Sequence, residues 1–279
     1  MNLQPIVPAV AASSRDRPIG VFDSGIGGLS VLSALQSQLP HERFVYFADT
    51  AHGPYGERSE TYVMARTRTA IANLAKRHAL KALVIACNTA TAAAIHLLRS
   101  EHAGLPVIGV EPALKPAVAA SRTRRIAVLA TRATLTSAKF SALHAVLGNQ
   151  ASFELVACDG LASAIEADDH PQIAALCTRY VHEAGLFGTG EGQIDTMVLG
   201  CTHYPFAAAQ LRDHAGESVQ LIDSGAAVAQ QTRRVLDAAG LLAERPSGDN
   251  GLLLESSGNV STLASATRRW LASADAAVA

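Results

Sequence analysis

The chain has 279 residues, of which 49% are hydrophobic and 17% charged, and its formal net charge is −1. A full hydrophobic core is therefore possible, while the lack of a long basic run argues against nucleic-acid binding, which needs clustered Lys and Arg. No apolar stretch reaches the roughly 20 residues needed to span a bilayer, so we expect no membrane contact. Four cysteines are too few for a disulfide scaffold, and reduced thiols indicate a cytoplasmic protein.

The first part of the chain alternates between strand and helix patterns after a loose start. Residues 1–17 are interrupted by Pro and Ser, and we expect a flexible N-terminal extension and not a signal peptide. Pro40 ends the first predicted helix, and Ser59 is the expected N-cap of the second. Strands are predicted at 19–22, 44–49, 83–86 and 107–110, and helices at 29–39, 59–78 and 90–100.

The pattern then starts again. Strands are predicted at 125–131, 153–157, 197–200 and 219–222, the last of which is the final strand that we predict. A helix ends near Leu147, a glycine-rich surface loop covers 186–195, and Pro205 suits the first turn of the helix after the third of these strands.

The two parts resemble each other as an internal repeat, because each has a cysteine at the end of its third strand. We predict an α/β fold of two similar doubly wound, mainly parallel-sheet domains, related by a pseudo-two-fold axis and facing each other across a cleft. The first domain is expected to comprise 18–112 with 225–279, and the second 113–224. The active site is expected in the cleft.

Cys87 and Cys201 each follow a short apolar run and precede polar residues. Such runs are typical of buried parallel strands, whose carboxyl ends bind ligands in open α/β sheets. A following helix N-terminus would lower the pKa of each thiol below its usual value of about 8.5. Two thiols on opposite sides of a substrate could remove a proton from one face of a carbon and deliver one to the other, which inverts a stereocentre without a cofactor.

Polar residues near these cysteines are candidates to assist them. Asp23, at the end of the first strand, could orient Cys87, bind an ammonium group or simply cap the next helix. His203 could position or protonate Cys201, or be a surface or core histidine. Backbone N–H groups and the side chains of neighbouring residues could stabilise developing negative charge; the side chains are those of Asn88, Thr89 and Thr202.

Other readings of these residue types are less favoured. Cys158 and Cys177 are expected to be small core hydrophobes. The cysteines and histidine lack zinc-ligand spacing, so no metal is expected. The glycines at positions 25, 27 and 28 do not fit the GxGxxG dinucleotide fingerprint, and no phosphate-binding loop ending follows them.

Five motifs, in the same order along the chain, resemble those of the glutamate racemases in the aspartate/glutamate racemase superfamily. The likeness covers about 18–240, and the two cysteine motifs together are specific to the superfamily. The motifs are IGVFDSGIGGL at 19–29, PYG at 54–56, ACNTA at 86–90, LGCTHYP at 199–205 and IDSG at 222–225.

This resemblance implies cofactor-independent racemisation of glutamate, which supplies D-glutamate for bacterial peptidoglycan. It implies that Cys87 takes the proton from D-glutamate and Cys201 takes it from L-glutamate, and that a homodimer forms. Asp23 and His203 match residues that assist the thiols. The positions that match substrate contacts or residues near the site are Asp23, Ser24, Pro54, Tyr55, Gly56, Asn88, Thr89, Thr131, Thr134, Glu166, Thr202 and His203.

Three alternatives stay open at this point. The chain could be a racemase of aspartate or a related acid, which a substrate panel would distinguish. It could be a thiol-redox protein, although no C-x-x-C is present. It could also be a regulatory binding protein on a racemase fold, which the complete set of Asp23, Cys87, Cys201 and His203 argues against.

Overall fold

Two parallel β-sheets with helices on their faces form the part of the chain that the structure describes. That structure is a computed structural model covering residues 14–244, 251–271 and 277–278. Residues 1–13 of the predicted extension lie outside it, and Ser14–Asp16 forms a 3-10 helix. The predicted fold class, two α/β units with mainly parallel sheets, is confirmed.

The strands are fully parallel in both sheets. In chain order they are β1 (Ile19–Asp23), β2 (Phe44–Ala48), β3 (Ala82–Ile85), β4 (Val107–Gly109), β5 (Arg125–Ala130), β6 (Ser152–Ala157), β7 (Thr196–Leu199), β8 (Gln220–Ile222), β9 (Leu252–Ser256) and β10 (Ala277–Val278). The first sheet has the order β10-β9-β2-β1-β3-β4, and the second has the order β6-β5-β7-β8.

Helices connect the strands and cover the sheets. They are α1 (Leu29–Gln38), α2 (Glu60–Arg77), α3 (Asn88–Glu101), α4 (Leu114–Ala120), α5 (Arg132–Leu135), α6 (Ala138–Leu147), α7 (Leu161–Glu166), α8 (His170–Ala184), α9 (Ala208–Ala215), α10 (Gly225–Ala238) and α11 (Val260–Trp270). Among the described residues, no helix has both the length and the apolarity that crossing a membrane requires.

The central strands are buried on both faces, which explains their continuous apolar sequences. Every residue of β1, β2, β3 and β7 is buried. Parallel sheets need such strands because their crossover helices lie on both sides. Ser59 caps α2 as predicted, accepting from the backbone N–H of Tyr62 at 3.3 Å.

Two further strands, β9 and β10, follow the last strand that the sequence predicts, at 219–222. The chain returns to the first sheet, where β9 pairs with β2 from Leu252 opposite Phe44 to Ser256 opposite Ala48. The carboxyl end of β9 therefore lies beside the end of β2. Residues from more than 200 positions away thus support the loop that follows β2.

The carboxyl ends of the two sheets meet. Thr202, which follows β7 of the second sheet, donates to Asp23 at the end of β1. Thr89, in the first turn of α3, contacts Thr131, which follows β5. Because ligands of open α/β sheets bind at strand carboxyl ends, this junction is the natural position for a site.

Candidate active site

Asp23 is fully buried where the two sheets meet. Its Oδ1 accepts from the backbone N–H of Gly25 at 2.8 Å, and its Oδ2 accepts from the hydroxyl of Thr202 at 3.1 Å. Burial raises the pKa of Asp23 to about 6, although His203 and these hydrogen bonds act in the opposite direction. The carboxyl group is therefore ionised at neutral pH and can attract an ammonium group.

Cys87 is the N-cap residue of α3, and its sulfur accepts from the backbone N–H of Ala90 at 3.4 Å. The thiol points at Oγ of Ser24, 3.7 Å away. The expectation that the helix N-terminus lowers its pKa is wrong. Burial, with the charges of Asp23 and Cys201, raises the pKa of Cys87 to about 12. Loss of solvation outweighs the hydrogen bonds, so Cys87 rests as a thiol.

Cys201 is joined to His203 and Glu166 by a chain of polar contacts. Its Sγ lies 3.6 Å from Nδ1 of His203, whose Nε2 lies 2.6 Å from Oε1 of Glu166. The same Glu166 oxygen accepts from the backbone N–H of Ile26 at 2.7 Å. Burial lowers the pKa of His203, but its contacts with Cys201 and Glu166 outweigh burial and hold this pKa well above its usual value.

Cys201, unlike Cys87, is not the N-cap residue of a helix. The chain turns after the cysteine, and a 3-10 helix over Tyr204–Ala207 precedes α9. Pro205 lies in the first turn of that 3-10 helix. The Cys201 sulfur therefore contacts the His203 side chain, whereas the Cys87 sulfur accepts a hydrogen bond from the backbone N–H of Ala90.

Three buried threonine hydroxyls form a cluster across the junction of the sheets. Oγ1 of Thr89 lies 3.0 Å from Oγ1 of Thr131 and 3.4 Å from Oγ1 of Thr134. Thr131 donates to Thr134 at 2.9 Å. Such hydroxyls can exchange these mutual bonds for bonds to a carboxylate.

Two further predicted residues lie beside the Cys87 thiol. Ser24 is buried and follows Asp23, and Asn88 is the buried first residue of α3. Oδ1 of Asn88 has no hydrogen-bond partner among the described residues. A buried amide oxygen is seldom left unpaired, and here it is a ready acceptor for a ligand.

The predicted residues at 54–56 lie in the loop after β2. Tyr55 is fully buried, and its hydroxyl donates to Asp49. Gly56 packs so closely against Thr131 that an added Cβ would lie 2.6 Å from Cγ2, and its carbonyl accepts from the backbone N–H of Ala133 at 3.2 Å. Pro54 follows a cis peptide bond. The loop therefore lies against both sheets.

Both thiols are nearly inaccessible. Cys87 is 6% exposed and Cys201 is 7% exposed. A cavity of about 290 Å³ opens beside the junction, lined by residues that include Gly56, Thr89 and Arg132, but not by either cysteine. The two sulfurs therefore lie deeper in the junction than this cavity.

Asp49 and Arg66 belong to this region but were not among the predicted site residues. The only sequence signal was the position of Asp49 at a strand end, and nothing in the sequence pairs it with a helix residue 17 positions later. Within the described ranges, no group of three or more His, Cys, Asp or Glu side chains is arranged to hold a metal ion.

Comparison with known proteins gives one family. The Asp/Glu/Hydantoin racemase model matches residues 19–232. A glutamate racemase of Pseudomonas syringae pv. tomato is 44% identical over 248 residues, which cover 88% of this chain and 86% of the relative.

Solved structures agree. A glutamate racemase isoform of Bacillus anthracis superposes with a TM-score of 0.81 at 31% identity, covering 95% of this chain and 97% of that chain. A glutamate racemase of Francisella tularensis in complex with D-glutamate gives a TM-score of 0.77 at 26% identity, covering 95% and 97%. The two buried cysteines lie at matching strand ends, the family model matches most of the chain, and the fold is the same. This chain therefore belongs to the Asp/Glu/Hydantoin racemase family, and the relatives it matches are glutamate racemases.

Proposed function

We propose that the chain interconverts L- and D-glutamate by proton transfer between Cys87 and Cys201, and so supplies D-glutamate for peptidoglycan. The observation that carries this proposal is the pair of thiols at equivalent strand ends, one beside Asp23 and the other beside His203 and Glu166. The identity of the relatives supports glutamate as the substrate.

In the L-to-D direction, Cys201 takes the α-proton and Cys87 delivers a proton to the opposite face. The raised pKa of Cys87 supports its role as the donor, because the group rests as a thiol. Protonated His203 would stabilise the negative charge on the Cys201 sulfur, which acts as the base in this direction. One turnover removes one proton and returns one, so the two sulfurs exchange protonation states and glutamate undergoes no net redox change.

The substrate would be held by groups from both sheets. The carboxylate of Asp23 and Oδ1 of Asn88 suit the ammonium group. Carboxylate oxygens would accept from the threonine cluster and from backbone N–H groups. Tyr55 would contribute its backbone, because its hydroxyl is already bonded to Asp49. The remaining proposed contacts are Ser24, Pro54, Gly56, Glu166, Thr202 and His203.

The domain division at 18–112 with 225–279, and 113–224, is part of this proposal. It is supported by the pairing of β9 with β2. We also propose a homodimer, which the family resemblance implies, and a cytoplasmic location, which is supported by free thiols at all four cysteines.

The test follows racemisation of each glutamate enantiomer in deuterated water. Early product should carry solvent deuterium at Cα while the remaining substrate does not. Cys87→Ala and Cys201→Ala should each lower kcat by at least about 100-fold, the usual contribution of a general acid or base. Cys177→Ala is the matched cysteine control. Cys177 is a buried residue of α8, and this variant should retain activity.

Full activity of either active-site variant would refute the two-thiol mechanism. Aspartate measured beside glutamate decides the substrate: a higher kcat/KM for aspartate would refute the glutamate assignment while leaving the thiol mechanism intact.

A further inference from the structure

A buried carboxylate outside the thiol site organises the loop after β2. Asp49 follows that strand directly, and its side chain is fully buried. Its backbone N–H donates to the carbonyl of Asp23 at 2.9 Å. The first residue of the loop is therefore fixed against the residue that we propose binds the substrate ammonium group.

Arg66 of α2 neutralises this carboxylate in a two-pronged ion pair. Its Nη2 donates to Oδ1 of Asp49 at 2.8 Å, and its Nε donates to Oδ2 at 3.2 Å. Burial raises the pKa of Asp49, but hydrogen bonds from Arg66, Tyr55 and Ser257 outweigh burial, so this pKa lies below its usual value. The group is thus an anion whose bonds have fixed directions.

The loop itself also forms several bonds to Asp49. Nδ1 of His52 lies 3.0 Å from Oδ1, and the Tyr55 hydroxyl donates to Oδ2. The backbone N–H groups of His52 and Gly53 both donate to the Asp49 carbonyl at 3.0 Å. One residue therefore holds the start, the middle and the end of the segment at 49–55.

The segment at 49–55 is also contacted by the chain that follows β1 and by the chain that follows β9. A Cβ on Gly53 would lie only 2.1 Å from the carbonyl oxygen of Ser24, so the loop lies directly on the chain that follows Asp23. On the other side, Oγ of Ser257 accepts from the backbone N–H of Ala51 at 3.1 Å, just after the end of β9. The loop is held between these two supports.

We propose that Asp49, held by Arg66, is a positioning residue that sets the substrate-contacting segment 54–56. This inference rests on the proposed racemase function. Asp49 contributes no group to the reaction; it fixes the Tyr55 ring and, through it, the backbone of Pro54 and Gly56 against the threonine cluster. Sites held by such supporting contacts lose affinity when the support is removed.

The principal test is Asp49→Asn, which keeps the shape but removes the charge that pairs with Arg66. We expect KM for glutamate to rise about tenfold or more with a smaller change in kcat, because the segment binds substrate while both thiols stay in place. Arg66→Met should have the same effect. Arg66→Lys should restore part of the loss, since it keeps the charge but not the two-pronged geometry.

Arg68→Met is the matched control. Arg68 lies on the same helix but pairs with Glu101, at the end of α3, and its side chain is 61% exposed. It should leave KM unchanged. Thermal unfolding of each variant is first followed by circular dichroism, and the assay is run well below the lowest transition temperature. A substitution that only destabilises the fold then leaves the KM of the folded protein unchanged.

If Asp49→Asn does not fold, Tyr55→Phe decides, because it removes only the hydroxyl that Asp49 accepts; KM should then rise by a smaller factor, about threefold. A KM within experimental error of the wild type in the folded variants would overturn the positioning role. Failure of the wild type to racemise glutamate in the same assay would instead refute the proposed function.

Discussion

At the scale of single residues, the two cysteines have equivalent positions but different environments. The strand-end position of each could be predicted from its apolar run and polar followers. The raised pKa of Cys87 could not, because it depends on how completely the folded chain buries the thiol and on the nearby charge of Asp23. Sequence shows which groups are near in the chain, whereas loss of solvation depends on the whole neighbourhood.

The pKa of Asp23 predicts an acidic limit to activity. Because burial raises this pKa to about 6, the group becomes protonated and neutral as the pH falls below 6. We expect kcat/KM for L-glutamate to fall by up to about tenfold for each pH unit below that value, since this ratio reports ionisation of the free enzyme. The pKa of His203 lies well above its usual value, so His203 stays protonated there and adds no acidic limb.

The matched measurement uses Asp23→Asn, which cannot ionise. Its kcat/KM should be lower at neutral pH, by about 100-fold, and should no longer follow the same acidic limb. An unchanged limb in this variant would assign the ionisation to a different group. Circular dichroism at each pH separates loss of activity from loss of structure.

At the scale of elements, the strands of both repeats were predicted, but the two later strands, β9 and β10, were not. The sequence of β9 is a short apolar run, Leu252 to Leu254, followed by Glu255, and such a run fits a strand or a buried helix equally well. Its place beside β2 depends on pairing across more than 200 residues. Local pattern carries no information about such pairing.

The His203 ring packs directly against the turn between β1 and α1. A Cβ on Gly27 would lie 2.4 Å from Nδ1 of His203, closer than real contacts allow. We therefore expect Gly27→Ala to displace the ring from both Cys201 and Glu166 and to lower kcat by about 100-fold, the usual effect of a displacement near 1 Å. Racemisation rates of both enantiomers measure this effect.

Gly104→Ala is the control for this substitution, because an added Cβ there meets no atom within 4 Å. Its rates should equal those of the wild type. If Gly27→Ala retains normal kcat in both directions, then close contact with the turn does not hold His203 in its active position.

At the scale of the whole molecule, the site exists only where the two sheets meet. Glu166 accepts from the backbone N–H of Ile26, and Glu57 accepts from the backbone N–H of Gly160 at 2.9 Å, so each sheet supplies donors to carboxylates of the other. The repeat in the sequence predicted that two units face each other. It could not predict these contacts, because they join positions 103 and 140 residues apart.

At the amino ends of the strands of the first sheet, Lys81, just before β3, forms a buried ion pair with Glu42, just before β2; their side chains are 1% and 2% exposed. Lys81 also donates to the carbonyls of Arg15 and Leu241, which joins three distant segments.

Lys81→Met should lower the free energy of unfolding by about 3–5 kcal/mol, because Glu42 would remain buried without its cation. Adding Glu42→Gln should restore part of this loss, while Arg125→Met, which breaks the exposed pair with Glu154, should cost less than about 1 kcal/mol. Urea unfolding measures all three variants. A Lys81→Met variant as stable as the wild type would mean that water or a backbone shift satisfies Glu42, and that these strand ends do not depend on the ion pair.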